Sequence, residues 1–330
     1  MNREYWPFGI IQFPAIVYWL WLSIRSRSFV FFSASNPGIP MGGMFGESKY
    51  QVLSKIPAAC KPRTLLVRIP ATLSAVKERM REAGLKLPVI FKPDIGERGL
   101  RVKKIKAEHE MRSYLEMATG DFLVQECVEL PLEFGVFYMR HPQNAQGQVI
   151  SVTGKEMLSV TGDGKSGLRE LILRSDRAKL QWQTLRVTFA ETLDRIIPSG
   201  EKVELVSIGN HCLGTRFINA SYLISDRLSE AFDDISRNIP GFYFGRFDLR
   251  CATHEDLCCG KVQIMELNGC GAEPGHIYDA DFSLWQALKV PVIYWDHIFR
   301  IARANRKRGV RYATHGEALA YYRKFRAAVR

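Results

Sequence analysis

A chain of 330 residues with 46 Lys and Arg against 34 Asp and Glu, 46% hydrophobic and 24% charged, is too apolar to stay disordered and too varied for a fibre or coiled coil. Its length suffices for one large or two modest domains with a sizeable core. The net charge of +12 is concentrated at one end: from Arg300 to Arg330 ten basic residues face a single acid, Glu317, so this stretch carries +9 and the first 299 residues only +3. No recognisable nucleic-acid module accompanies that charge, so it does not argue for nucleic acid. The seven cysteines contain no CxxC pair, which points to reduced thiols in the cytoplasm. Cys251, His254, Cys258 and Cys259 lie close in sequence, but adjacent Cys258 and Cys259 cannot easily aim both sulfurs at one ion.

In chain order, Tyr5–Ile24 comes first: twenty residues without a charge, fifteen of them hydrophobic. As one helix, at about 1.5 Å per residue, it would reach about 30 Å, the hydrocarbon thickness of a bilayer. Pro7, Gly9, Gln12 and Pro14 are expected to interrupt helix in its first half, and its Trp and Tyr side chains suit an interface. An interfacial or packed segment ending at Arg25 and Arg27 is favoured over a span, and nothing marks a removable signal peptide. Ser28–Ser35 reads as a strand entering the loop NPGIPMGG, 36–43. Thr72 caps a helix with Leu73, Val76 and Met80 on one face and Gly84 at its end. Val89–Phe91 is a short strand, a helix covers 108–117, and strands follow at 122–127, 133–140 and 148–153. Helices near 177–196 and 226–238 flank strands near 203–207 and 216–220. The order is α+β, not an alternation of parallel βαβ units.

Three stretches carry chemistry. Phe244–Arg250 and Lys261–Asn268 read as an antiparallel hairpin joined by a polar connection, with Glu266 and Asn268 on one face and Asp248 completing the set from the partner strand. The flanking Phe242, Phe244, Phe247, Ile264, Met265 and Leu267 imply burial, and buried carboxylates need a cation. Oxygen donors without His or Cys select Mg²⁺ over zinc. Lys92, leaving a strand before Gly96 and Gly99, offers an ammonium and approachable backbone N–H groups to phosphate, at neither P-loop nor Rossmann spacing. Thr161–Gly167 is a second phosphate-friendly loop, opening a helix at Leu168.

In sequence order, Ser48-Lys49, FKPDIGERGLRV (91–102), QECVELPLEFGV (125–136), VTGDGKSGLRELI (160–172), GNHCLGTRFINAS (209–221), GRFDLR (245–250) and MELNG (265–269) make the chain resemble the ATP-grasp superfamily. The likeness is strongest to D-alanine:D-alanine ligases and the ATP-grasp part of cyanophycin synthetases, and rests on the order of the motifs more than on any one of them. It implies an ATP-grasp fold, two α+β subdomains clasping ATP, after an abbreviated N-terminal region: residues 1–46, a small subdomain at 47–128, a large metal-bearing subdomain at 129–299 and a basic tail at 300–330.

Residue by residue, the resemblance implies that Lys49 and Lys92 contact ATP phosphates beneath a flap at Gly96–Gly99. The backbone of Gln125, Glu126 and Val128 would read adenine, and Glu133 would bind ribose hydroxyls. Asp248, Glu266 and Asn268 would hold two Mg²⁺ ions, with Mn²⁺ as a substitute, and Arg246 would stabilise the charged intermediate. Lys155 or Lys165 would supply the remaining phosphate contact, and Arg216 a substrate or phosphate contact. The activity implied is phosphoryl transfer to a carboxylate, giving an acyl phosphate that an amine or other nucleophile attacks. The loop Gly269–Ile277 follows the metal strand and is the place for the second substrate, with Glu273 and His276 as its ligands.

Two departures limit the likeness. Related ligases carry a full α/β domain where this chain has a short stretch, whose work NPGIPMGG and a membrane surface would take over or which would be missing. Glu97 and Arg98 stand where dipeptide ligases have a serine-rich flap, so D-alanine is not supported as substrate. A basic cluster at Arg303, Arg306, Lys307, Arg308 and Arg311, with the apolar N-terminal segment, predicts peripheral attachment to the anionic inner face of a membrane. A small-molecule kinase on the same fold and nucleotide binding without turnover stay open as alternatives.

Overall fold

A computed structural model describes residues 8–96, 99–206, 209 and 214–329. Tyr5 and Trp6 of the aromatic segment, Glu97 and Arg98 of the expected flap, Ser207, and 210–213 of the GNHCLGT stretch lie outside the described residues. The elements are α1 (Phe8–Ser26), α2 (Lys49–Ser54), β1 (Thr64–Val67), α3 (Leu73–Glu82), β2 (Val89–Pro93), β3 (Lys103–Ile105), α4 (Glu108–Met117), β4 (Phe122–Glu126), β5 (Leu132–Met139) and β6 (Gln148–Glu156). They continue with β7 (Ser159–Thr161), α5 (Leu168–Arg174), α6 (Trp182–Thr188), β8 (Lys202–Glu204), β9 (Arg216–Asn219), α7 (Asp226–Arg237), β10 (Phe244–Cys251), α8 (His254–Cys258), β11 (Gln263–Asn268), α9 (Leu284–Lys307) and α10 (His315–Ala328). The architecture is α+β. The chain divides into two units, Met1–Gly154 with Asn219–Arg330, and Lys155–Ile218.

The first unit holds the residues of most interest. One sheet, in the order β1-β4-β2-β3, is antiparallel throughout. Strand alternation divides its side chains: Val89, Phe91, Phe122 and Val124 pack under α3 and α4 with Val76, Met80, Met111 and Tyr114, which leaves Lys92 and Gln125 on the opposite face. The helix expected after Thr72 forms as α3, with Thr72 Oγ1 accepting from the Ala75 N–H at 3.2 Å and Gly84 at φ +64° closing it. Thr72→Ala is expected to lower the unfolding free energy by about 1 kcal/mol, measured as a shifted urea midpoint at unchanged slope.

A second, five-stranded sheet runs β11-β10-β5-β6-β9, and β6 and β9 carry the chain out of the first unit and back into it. The expected hairpin is formed by β10 and β11, with the short helix α8 inside what the sequence suggested was an open connection. Phe247, Leu249 and Leu267 face a core built with Leu228, Phe232 and Ile235 of α7, so the intervening Arg246, Asp248 and Arg250 share the other face.

Two expectations near the N-terminus are overturned. Helix α1 runs through Gly9, Gln12 and Pro14 rather than breaking there. Packing overrides the local penalty: Ile11, Ala15 and Leu22 are buried, Tyr18 Oη donates to Asp296 of α9 at 3.0 Å, and Trp19 meets Trp295. No helix among the described residues is long and apolar enough to cross a membrane. Ser28–Ser35 is a 3₁₀ turn over Phe31–Ala34, not a strand. Ser33 Oγ and Ser35 Oγ donate to the carbonyls of Val30 and Phe32, both at 2.7 Å, and such local bonds compete with a ladder while Phe31, Phe32 and Ala34 fill the core.

The second unit is a small core of Leu158, Val160, Leu168, Leu171, Ile172 and Leu185 among others, under an antiparallel β7–β8 pair. The single helix expected over 177–196 is instead a 3₁₀ turn, Ala178–Gln181, and the two turns of α6. Val187, Thr188 and Phe189, β-branched or aromatic, hold helix poorly and coincide with its end.

Candidate active site

The hairpin register builds the site. Asp248 lies opposite Glu266 and Arg246 opposite Asn268, so these four side chains occupy adjacent positions on one face. Asp248 accepts from Arg246 through both oxygens, at 3.1 Å from Nε and 2.9 Å from the second terminal nitrogen, and from Asn268 Nδ2 at 2.8 Å. The other terminal nitrogen of Arg246 donates to the Glu273 carbonyl at 2.7 Å. Burial works against the Arg246 charge, but Asp248, Glu266 and Glu273 more than offset it and raise its pKa. Gly135, opposite Asp248 on β5, leaves room for this arrangement: a Cβ there would stand 3.1 Å from Arg246 Cδ and 3.3 Å from Asp248 Oδ1. The sequence reading missed Gly135, whose only signal was a glycine inside an apolar strand.

Strand β11 is the edge of its sheet, and its register slips between Asp248 and Leu249 so that Met265 has no opposite number. The Met265 carbonyl accepts from Lys92 Nζ at 2.9 Å and from Gln125 Nε2 at 3.4 Å, and Lys92 also donates to Gln125 Oε1 at 3.0 Å. Gln125, expected to act through its backbone, thus also uses its side chain, which reaches Thr64 Oγ1 at 3.0 Å as well. Lys49, first residue of the Ser48-capped α2, donates to the Gly96 carbonyl and lies 3.6 Å from Glu266. Asp94, also not anticipated, holds this corner, its Oδ1 accepting from Ser48 Oγ and Tyr50 N–H, each at 2.9 Å. Gly99 sits at φ +71°, a conformation glycine adopts without strain.

Burial drives the Lys92 ammonium down from 10.5 to about 8; Lys49 adds to the shift, and Glu266 and Asp248 oppose it. A lysine whose folded pKa is depressed penalises the fold while charged, and the penalty is relieved as pH rises between the folded and unfolded values. Without nucleotide, wild type is therefore expected to gain stability relative to Lys92→Met between about pH 8 and 10.5, by at most about 1.4 kcal/mol per pH unit, and to run parallel to it below that window. Urea unfolding of both proteins across that pH series checks the slope.

Other expected residues are placed as follows. Glu133 is buried against Arg250 Nε at 2.9 Å, and Arg250 also donates to the Val128 carbonyl at 3.0 Å. Glu126 is turned outward, in a bidentate pair with Arg63. Glu273 accepts from Tyr278 Oη at 3.1 Å. His276 is buried edge-on to Phe282 with Nδ1 unpartnered, and burial pushes its pKa down to about 4, so it is neutral at physiological pH. Lys155, Lys165 and Arg216 belong to the second unit. Lys155 Nζ lies 6.0 Å from the Phe217 ring centroid and Arg216 lies 3.6 Å from Glu156. In the Thr161–Gly167 loop the N–H groups of Lys165 and Ser166 donate to Asp163 Oδ1 at 2.9 and 2.7 Å, and these bonds hold Asp163 at a pKa of about 2. The N–H groups expected to meet phosphate there already serve an internal anion.

Among the described residues no group of three or more His, Cys, Asp and Glu is placed to hold a metal. Asp248 and Glu266, facing in register with the Asn268 amide beside them, are two carboxylates and one amide. That donor set fits Mg²⁺, which takes one or two carboxylates and completes its shell with phosphate oxygens and water.

No family model and no curated protein matches the chain. Among solved structures it is similar to a bifunctional glutathione synthetase from Pasteurella multocida, at 15% identity over 74% of this chain and 35% of that one, with a TM-score of 0.37. It is similar to D-alanine–D-alanine ligase from Bacillus anthracis at 13% identity, over 82% of this chain and 72% of that one, with a TM-score of 0.48. It is also similar to that ligase complexed with ATP, at 13% identity over 79% and 68%, with a TM-score of 0.44. The chain spans about a third of the length of the glutathione synthetase.

Proposed function

We propose that the protein is an ATP-dependent ligase that joins a small-molecule carboxylate to an amine or other nucleophile and releases ADP and phosphate. One juxtaposition carries the reading: Arg246, Asp248, Glu266 and Asn268 share a sheet face at an edge that Lys92 and Lys49 approach. Mg²⁺, or Mn²⁺ in its place, held by Asp248, Glu266 and Asn268, would neutralise the triphosphate during transfer. Lys92 and Lys49 would exchange their carbonyl and amide acceptors for phosphate oxygens, which would further stabilise the ammonium form that burial disfavours at Lys92. A substrate carboxylate oxygen then attacks the γ-phosphorus and ADP leaves. The nucleophile next attacks the acyl carbon, phosphate leaves, and the nucleophile's proton goes to solvent. Arg246, fixed by Asp248 and the Glu273 carbonyl, presents its guanidinium to charge developing on the acyl oxygen. The reading places the enzyme in the cytoplasm, since six cysteines among the described residues are free thiols.

The test is product analysis by mass spectrometry after incubation with ATP, Mg²⁺ and pooled amino and hydroxy acids. ADP is expected only when acid and nucleophile are both present, together with a product of their summed mass less one water. A stable phosphoester without condensation assigns a kinase instead, and absence of ADP under every combination removes the enzymatic reading.

A further inference from the structure

The outward face of α1 carries six apolar side chains before it reaches Arg25: Phe13, Ile16, Val17, Leu20, Trp21 and Ile24 recur at three- and four-residue spacing and are 44–74% exposed. The other face, through Ile11, Ala15 and Leu22, is buried, with Tyr18 and Trp19 reaching α9. Single exposed apolar residues are ordinary, but a continuous stripe along a helix already buried on its other side marks a surface that something covers.

Its rim is net basic. The Arg25 guanidinium lies 4.6 Å from the Trp21 ring centroid and 5.4 Å from that of Phe299, stem and ring together forming the end of the stripe. Arg27 follows two residues on. The acid beside the stripe, Asp296, is already paired with Arg300 at 2.6 Å and accepts from Tyr18, which stacks on Trp21 at 5.3 Å. A second copy of the chain would offer this rim no acid from the same helix, because residues 8–29 contain none.

We propose that α1 lies in the plane of an anionic membrane surface, its stripe among the upper acyl chains and Arg25, Arg27 and Arg300 among the headgroups. A seat in the plane follows because no described helix is long and apolar enough to cross, and the inner face of α1 stays on α9. The proposal does not rest on the ligase reading.

Flotation of the full chain with phosphatidylcholine vesicles, with and without phosphatidylglycerol, tests it. Wild type is expected to float with the anionic vesicles and to be released by salt. Ile16→Ser with Leu20→Ser should weaken partitioning by about tenfold or more, and Arg25→Glu with Arg27→Glu should remove the preference for phosphatidylglycerol. Both variants should keep the wild-type circular dichroism, since the altered side chains face outward. Wild type left at the bottom of the gradient overturns the proposal, as does flotation of the serine variant equal to wild type. Self-association without flotation, abolished by the serine variant, would assign the stripe to a second copy and overturn it too.

Discussion

Asp248→Asn is expected to abolish turnover and destabilise the fold, whereas Glu266→Gln is expected to abolish turnover and leave the fold nearly as stable. The two carboxylates face each other in register, so either loss removes charge from the same place. On the proposed metal site each carboxylate would contribute several kcal/mol of transition-state stabilisation, so each variant should lose ADP formation by about a thousandfold, the rate equivalent of about 4 kcal/mol. Their structural surroundings differ. The Asp248 side chain is 8% exposed and both oxygens are engaged, so an amide there turns a donor toward the Arg246 guanidinium and removes that cation's directly bonded counter-charge. Breaking a pair of this kind costs about 3 kcal/mol. Glu266 is 32% exposed and meets Lys49 only at 3.6 Å, a pair worth at most about 1 kcal/mol. Activity assays and urea unfolding of both variants separate the effects. Turnover at the wild-type rate in either variant removes these side chains from the chemistry.

The hairpin that carries this pair was legible because two signals agreed there: polar residues at alternate positions in β10 and β11, and apolar residues between them. Where the signals disagreed, local rules failed. Pro14 argues against helix, yet contacts with α9, more than 250 residues away, decide α1. Phe31 and Phe32 suggest a strand, yet the neighbouring serines bond their own backbone. Within the site, the residues each strand contributes could be read, but their partners could not. That Glu133 meets Arg250 depends on the β5–β10 register, and that Lys92 and Gln125 share the Met265 carbonyl depends on a bulge, neither of which a sequence periodicity encodes.

Asn36→Ala is expected to be the most destabilising substitution outside the site. The side chain has no exposed surface, and its amide makes four bonds: Nδ2 donates to the carbonyls of Gly42 at 2.9 Å and Phe244 at 2.8 Å, while Oδ1 accepts from the N–H groups of Tyr243 at 2.8 Å and Phe244 at 2.9 Å. These bonds tie the NPGIPMGG loop to the start of β10, two residues before Arg246. The same loop continues to the end of β11: Cys270 N–H donates to the Gly42 carbonyl at 2.9 Å and Gly271 N–H to that of Gly43 at 3.0 Å. The contact is backbone to backbone, since a Cβ on Gly43, at φ +75°, would stand 2.7 Å from the Gly269 Cα. Alanine strands several buried backbone groups at about 1 to 3 kcal/mol each, partly relieved where the vacated space admits water, for a net loss of about 4 kcal/mol. The melting temperature should fall by about 10 °C for a unit of this size. Asn36→Asp keeps the two acceptor bonds but turns a buried negative charge toward two carbonyls, so it should rescue nothing. Because both strands of the hairpin are anchored through this loop, both variants should also lose ADP formation while folded, measured well below their melting temperatures. Wild-type stability in Asn36→Ala would show that the hairpin holds its register without the loop.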